Sequence, residues 1–403
     1  MKTIRLIIIP LGLLLCTYIS FGQKTEYYTD IQDRIRIAKE LFGQEKFNAS
    51  YRQFEKVQEE VGSNSEIYSE AEYYKAYALL KSGQNNGDRK MNDFIADYPE
   101  SPYMNKARFN LGSYQFDKNR YSVAIRTLNM VDAGTLNEKE SVLIHYQLGY
   151  SYMEQENLEK AAAEFFEIKD ANNIYSKPAS YYWAHINYLN ENYESALNGL
   201  RKLDGDPSYS QVIPLYVSHI FYKQEKYDQI VDYTTGIIED VDESHQPELA
   251  KIIGDSYFHL NDFEKAIPYL ERYHKSRGPK SNEDNYLLGY SYYTIQDFGK
   301  AIPYLEKATK GKNNLAQNAF YHLADCYVRT DNKEKARFAF EAASEFDFDD
   351  KIKEDALFNY AKITYELSYS PFSETIKAFD KYISLYPNSE RNNSAYQYLV
   401  RVY

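Results

Sequence analysis

The chain has 403 residues, 59 of them acidic and 47 basic, for a formal net charge of −12. No basic stripe offsets that acidity, which sets aside nucleic acid and anionic lipid as partners, since both require phosphate neutralisation. A mean hydropathy of −0.65 describes a soluble chain outside its N-terminus, and 43 Tyr beside 21 Phe and one Trp make tyrosine the compositional outlier.

The first element in chain order reads as an export signal. Lys2 and Arg5 form a positive start, Leu6 to Cys16 a short apolar run, and Ser20-Phe21-Gly22 places small residues at the cleavage positions. Residues 1–22 are therefore expected to be removed, leaving Gln23 at the mature N-terminus and no membrane span in the mature chain. Leu13-Leu14-Leu15-Cys16 is a poor lipidation signal, because that chemistry wants a small residue before the Cys. With Cys16 gone, Cys326 stands alone, so no internal disulfide forms, and its helical context reads as core packing.

From Ile31 onward the chain repeats itself. Small residues recur at Ala38, Ala76, Gly112, Gly149, Ala184, Ser218, Gly254, Gly289, Ala324 and Ala361, spaced by 34 to 38 residues. Twelve residues after most of them comes a second small residue: Ser50, Ala124, Ala161, Ala196, Ala266, Ala301 and Ala336. Within Tyr146–Ile168, Leu148, Gly149 and Tyr152 share one helical face, a polar turn follows, and Ala161, Phe165 and Ile168 line a second helix. Small residues at both marks let two helices approach closely, and large residues between them fill the gap to the next pair. A period of this length means a stacked array in which no unit buries its apolar face alone.

The second unit departs with Gly87, the sixth with Ile230, and the tenth has a longer turn around Ser368–Pro371. Kinks are expected there. Two segments, Tyr98-Pro99-Glu100-Ser101 and Tyr386-Pro387-Asn388-Ser389, stop a helix at Pro and offer Ser as a cap for the next. Asn393 to Tyr403 begins one more first helix. It is either a cap or the point where a longer protein continues, and continuation is the expected arrangement.

Leu-Gly-x-x-Tyr, Ala nine residues on, then Phe or Leu four further, resembles the tetratricopeptide repeat. The resemblance covers Ile31 to the C-terminus and implies an all-α fold, a right-handed superhelical solenoid of about ten helix hairpins over residues 23–403. The Tyr-Pro-x-Ser phrase is similar to that of bacterial envelope repeat proteins of the BamD and CpoB type. With the export signal, the resemblance implies the periplasm of a Gram-negative cell, with outer-membrane association also open, and a non-enzymatic scaffold for protein partners.

No constellation for catalysis appears. The seven histidines are scattered without metal spacing, and neither a P-loop nor a nucleophile elbow is present. No cofactor or metal is expected. In the family, positions three before, one after and four after the first small mark face the inner wall. Here they include Tyr73 and Tyr77, Phe109, Tyr146 and Tyr150, Tyr181, His185 and Tyr188, His219 and Tyr222, and Tyr286, Tyr290 and Tyr293. These are the candidate partner-binding residues, an aromatic stripe suited to a peptide or a helix. The same spacing also fits rings packed between hairpins. Replacing Tyr150, Tyr181 and Tyr290 together by Ala separates the two, since surface rings would leave stability intact. The Lys and Asn pattern by which some family members grip chaperone tails is absent at these positions.

The functional expectation is an exported scaffold in the cell envelope, serving outer-membrane assembly, secretion or cell-wall coordination. Two alternatives stand beside it: a glycan-binding protein associated with the outer membrane, and the periplasmic sensor part of a longer signalling protein.

Overall fold

A computed structural model of the chain describes residues 31–403 apart from 64, 85 and 369–371. The export segment and the centre of the tenth turn lie outside the described residues. The described residues carry twenty-one α-helices and divide into two compact units, one ending at Ser176 and one running from Lys177 to Tyr403.

The first unit holds four hairpins. They are α1 (Ile31–Gly43) with α2 (Phe47–Glu60), α3 (Glu66–Lys81) with α4 (Gly87–Asp97), α5 (Met104–Asp117) with α6 (Tyr121–Leu128), and α7 (Glu138–Glu154) with α8 (Leu158–Ile168). The second holds six. They are α9 (Ser176–Leu189) with α10 (Tyr193–Arg201), α11 (Ile213–Lys223) with α12 (Tyr227–Thr234), α13 (Gln246–His259) with α14 (Phe263–Lys275), α15 (Asn282–Thr294) with α16 (Phe298–Ala308), α17 (Asn314–Arg329) with α18 (Lys333–Ser344), and α19 (Asp350–Leu367) with α20 (Ser373–Leu385). The last helix, α21 (Asn392–Val402), packs on α20.

All ten first marks and all seven second marks are buried. The reason is steric. A Cβ on Gly254 would sit 2.7 Å from Leu270 Cγ and 3.0 Å from the Leu270 backbone nitrogen, so α14 can lie on α13 only over a bare backbone. Large residues then close the core: Phe54, Phe165, Leu305 and Phe379 are fully buried on the second helices, each contributing roughly 2–3 kcal/mol of apolar burial. In the second hairpin the close approach shifts to Gly87, where a Cβ would meet the Leu79 and Leu80 backbone at 2.8 Å. The sixth hairpin buries Ile230 and ties its helices with a bond of 2.9 Å between the Ser218 and Thr234 hydroxyls.

Four of the hairpin turns follow one plan. Glu156 has φ 57°, its N–H donates to the Met153 carbonyl, and the Asn157 N–H reaches back to Tyr152. That is a helix end closed by one left-handed residue. Asn157 then accepts from the Lys160 N–H and starts α8. Asn261-Asp262, Gln296-Asp297 and Asp331-Asn332 repeat the pair in their own hairpins. A left-handed conformation costs an L-residue about 1–2 kcal/mol. Glu156→Gly should therefore stabilise the first unit by about 0.5–1 kcal/mol, after allowing for the freer unfolded chain. A urea midpoint that moves down instead would remove this account of the turn.

The Tyr-Pro-x-Ser segments do stop α4 at Asp97 and α20 at Leu385. Ser101 and Ser389, however, are not the helix caps. Each hydroxyl accepts an N–H two residues on, from Tyr103 and Arg391, and those residues occupy the cap positions. An intervening turn moves the helix start beyond the reach of a capping serine. Cys326 lies fully buried in α17, where burial pushes its thiol up to about 12.

Candidate functional site

The first unit carries an open trough of about 660 Å³ on the face formed by the first helices α3, α5 and α7. Tyr77 and Leu80 line it from α3, Phe109, Asn110, Ser113 and Tyr114 from α5, and Leu143 and Gln147 from α7, with Tyr175 closing one side. These helices share the face because their small marks turn the opposite side toward the second helices. Asn110 donates to the Tyr73 hydroxyl at 2.8 Å, and Ser113 donates to Gln147 Oε1 at 2.9 Å. One polar side chain thus braces another across neighbouring hairpins, and the floor is held in one arrangement.

Of the first-unit candidates, Tyr77 and Phe109 border the trough. Phe109 is only 6% exposed and forms its floor. Tyr73 is a correction: at 4% exposure it is a core residue, stacked on Tyr103 at 4.8 Å and packed against Phe94. Tyr146 and Tyr150 are half-buried beside the trough. Tyr146 meets Tyr175 at 4.6 Å, and Tyr150 meets Phe116 and Tyr121, both at 5.8 Å.

In the second unit the candidate rings are half-buried and joined to neighbouring hairpins. Tyr181 packs on Tyr209 at 5.4 Å, and Tyr188 meets Tyr216 edge-on at 5.1 Å. The Tyr216 hydroxyl lies 2.6 Å from His185 Nδ1, and burial holds His185 below the usual histidine range. His219 Nε2 lies 2.9 Å from Glu248. Tyr222 donates to Asp255, and Tyr293 donates to Asp325 at 3.0 Å. Tyr286, Tyr290 and Tyr293 surround His322, with ring centroids at 6.3, 4.8 and 4.8 Å. The stripe does in part what its polar tips and flat faces allow: it joins one first helix to the next.

A second, smaller groove of about 340 Å³ lies between α15, α17 and α19, lined by Tyr293, Tyr321, Asp325, Arg329, Lys333, Asp355, Lys362 and Glu366. The offsets that located Tyr286, Tyr290 and Tyr293 also reach Tyr321 and Asp325 from Ala324, and Lys362 from Ala361. That signal was in the sequence. Asn110, Tyr114, Gln147 and Tyr175 of the larger trough fall outside those offsets and carried none. Among the described residues no cluster of His, Cys, Asp and Glu is arranged to hold a metal ion, and no helix is long and apolar enough to cross a membrane.

Residues 244–343, which span α13–α18, match the family described as anaphase-promoting complex, cyclosome, subunit 3. The described residues carry tetratricopeptide-type repeats. No curated protein matches the chain. Among solved structures, the chain is similar to YrrB, a TPR protein with an unusual peptide-binding site (16% identity, 49% of this chain and 97% of that one, TM-score 0.40). It is similar to a tetratricopeptide repeat protein from Parabacteroides merdae (15% identity, 72% and 98%, TM-score 0.35). It is also similar to the Naa15/Naa10 assembly bound to HypK-THB (13% identity, 93% and 66%, TM-score 0.44).

Proposed function

We propose that the chain is an exported scaffold of the bacterial cell envelope that binds an extended segment of a protein partner in the trough of its first unit. The observation that carries this reading is the trough itself. Three consecutive first helices present Tyr77, Tyr114 and Leu143 around one open depression that Tyr175, just before α9, closes on one side, which is the mixture of aromatic area and polar tips that concentrates binding energy. Export rests on the charged start, apolar run and small-residue end of residues 1–22. The envelope process served would be outer-membrane assembly, secretion or cell-wall coordination.

The test is site-specific photocrosslinking in the native organism. A photoreactive residue at Tyr114, inside the trough, is compared with one at Arg126 on α6. A discrete protein adduct at Tyr114 that is missing at Arg126, recovered from the envelope fraction, is the expected result. Equal labelling at both positions, or adducts to polysaccharide alone, would overturn the proposal and favour glycan capture.

A further inference from the structure

We infer that the trough of the first unit selects an acidic partner segment, one whose Asp or Glu side chains face its rim lysines, an inference that rests on the trough being the binding site. Its rim holds Lys81, Lys118 and Lys139, all exposed. None of the three makes an ion pair among the described residues. Lys81 and Lys118 instead rest over tyrosines of their own helices, 5.7 Å from the Tyr77 ring and 5.5 Å from the Tyr114 ring. Two carboxylates share the lining. Glu140 accepts both of its bonds from Lys106, at 2.6 and 2.8 Å, so its charge is already matched from outside the trough. Burial pushes Asp117 above the usual carboxylate range, while Lys81 and Lys118 pull it back. The trough therefore keeps a surplus of positive charge in a chain whose net charge is −12.

The smaller groove of the second unit is closer to balance, with Arg329, Lys333 and Lys362 facing Asp325, Asp355 and Glu366, and among the described residues Lys362 is its one lining cation without an ion pair. There Arg329 pairs with Asp325 at 3.6 Å, Lys333 pairs with Glu366 at 2.9 Å, and Arg391 pairs with Asp355 from outside the lining. Cations that already hold partners have little to offer a ligand.

Geometry sets the pattern as well as the sign. Neighbouring packed helices lie about 8–10 Å apart, and an extended chain advances about 3.3 Å per residue. Lys81 and Lys118, at the C-terminal ends of α3 and α5 on successive hairpins, accordingly address carboxylates about three residues apart, while Lys139, in the first turn of α7, stands toward the other end of the trough. Aromatic or apolar residues between those carboxylates would meet Tyr77, Tyr114 and Leu143. Exposed pairs of this kind contribute modest affinity each and weaken with salt, but together they steer association and reject basic segments.

The probe is a fluorescein-labelled synthetic peptide with Glu at every third position and Tyr, Ala and Ser between, beside the same peptide with Gln for Glu. Anisotropy is read with the intact mature chain. The Glu peptide should bind about tenfold tighter than the Gln peptide at about 50 mM salt, with the advantage fading at about 300 mM. K81Q/K118Q/K139Q should abolish the preference with unchanged circular dichroism, and K81E/K118E/K139E should reverse it. Equal binding of the two peptides to the unmodified chain would sink the acidic preference and leave the trough as the site. Binding of neither would sink both. A preference that survives in both triple variants would place the selecting charge elsewhere.

Discussion

Tyr290→Ala is expected to cost the second unit about 2–4 kcal/mol, a fall of several degrees in melting temperature. The ring stacks on Tyr286 at 5.6 Å and meets Phe258 and Phe263 at 5.7 Å and His322 at 4.8 Å. Truncation removes those contacts together and leaves a gap between α13, α15 and α17 that cannot close without moving the helices. Tyr396, which is 53% exposed on α21, supplies the control, and Tyr396→Ala should stay within about 0.5 kcal/mol. The combined Tyr150, Tyr181 and Tyr290 variant should be strongly destabilised for the same reason. If Tyr290→Ala melts with the unmodified chain, the ring is a free surface group and its packing role is wrong.

The second large effect is pH dependence at His322. Its Nδ1 is buried without a hydrogen-bond partner, and Tyr286, Tyr290, Tyr293 and Tyr321 surround the ring. Burial lowers the imidazole to about 4, with the Asp325 charge pulling the other way. Since the folded value lies below the unfolded one, the unfolded chain takes up the proton first as pH falls. Stability is therefore lost between about pH 6.5 and about 4, on the order of 3 kcal/mol, and this loss levels off below that window. His322→Gln removes the titrating group while other carboxylates still titrate. The difference between the two denaturation profiles across pH 7 to 4 should show a slope in the unmodified chain that the variant lacks. Parallel profiles would mean the ring is solvated when folded.

Much of the fold was legible because the repeat is a packing rule. Small residues at fixed intervals have one physical use, the close approach of two helices, and the crowding of Gly254 against Leu270 is that use made visible. The buried state of Cys326 followed from the same register. The turns were legible only as polar gaps: nothing in Gln155-Glu156-Asn157 announces a Glu held at φ 57°, because Glu has no special preference for that conformation and adopts it under the pull of the two helices it joins.

The binding surface divides the other way. Helical spacing put Tyr73, Phe109 and Tyr290 on one face of their helices, but a face in a stacked array is shared between solvent and the next first helix. Whether a ring meets water or a neighbour depends on residues one repeat away, such as Tyr103 beside Tyr73 or Asp325 beside Tyr293. By itself the sequence determined the period, the hairpins and their buried marks, since those depend on contacts within one unit of the repeat. The tertiary structure alone decided which aromatic residues are core, where a trough opens, and which lysines at its rim make no ion pair, since those depend on contacts between units.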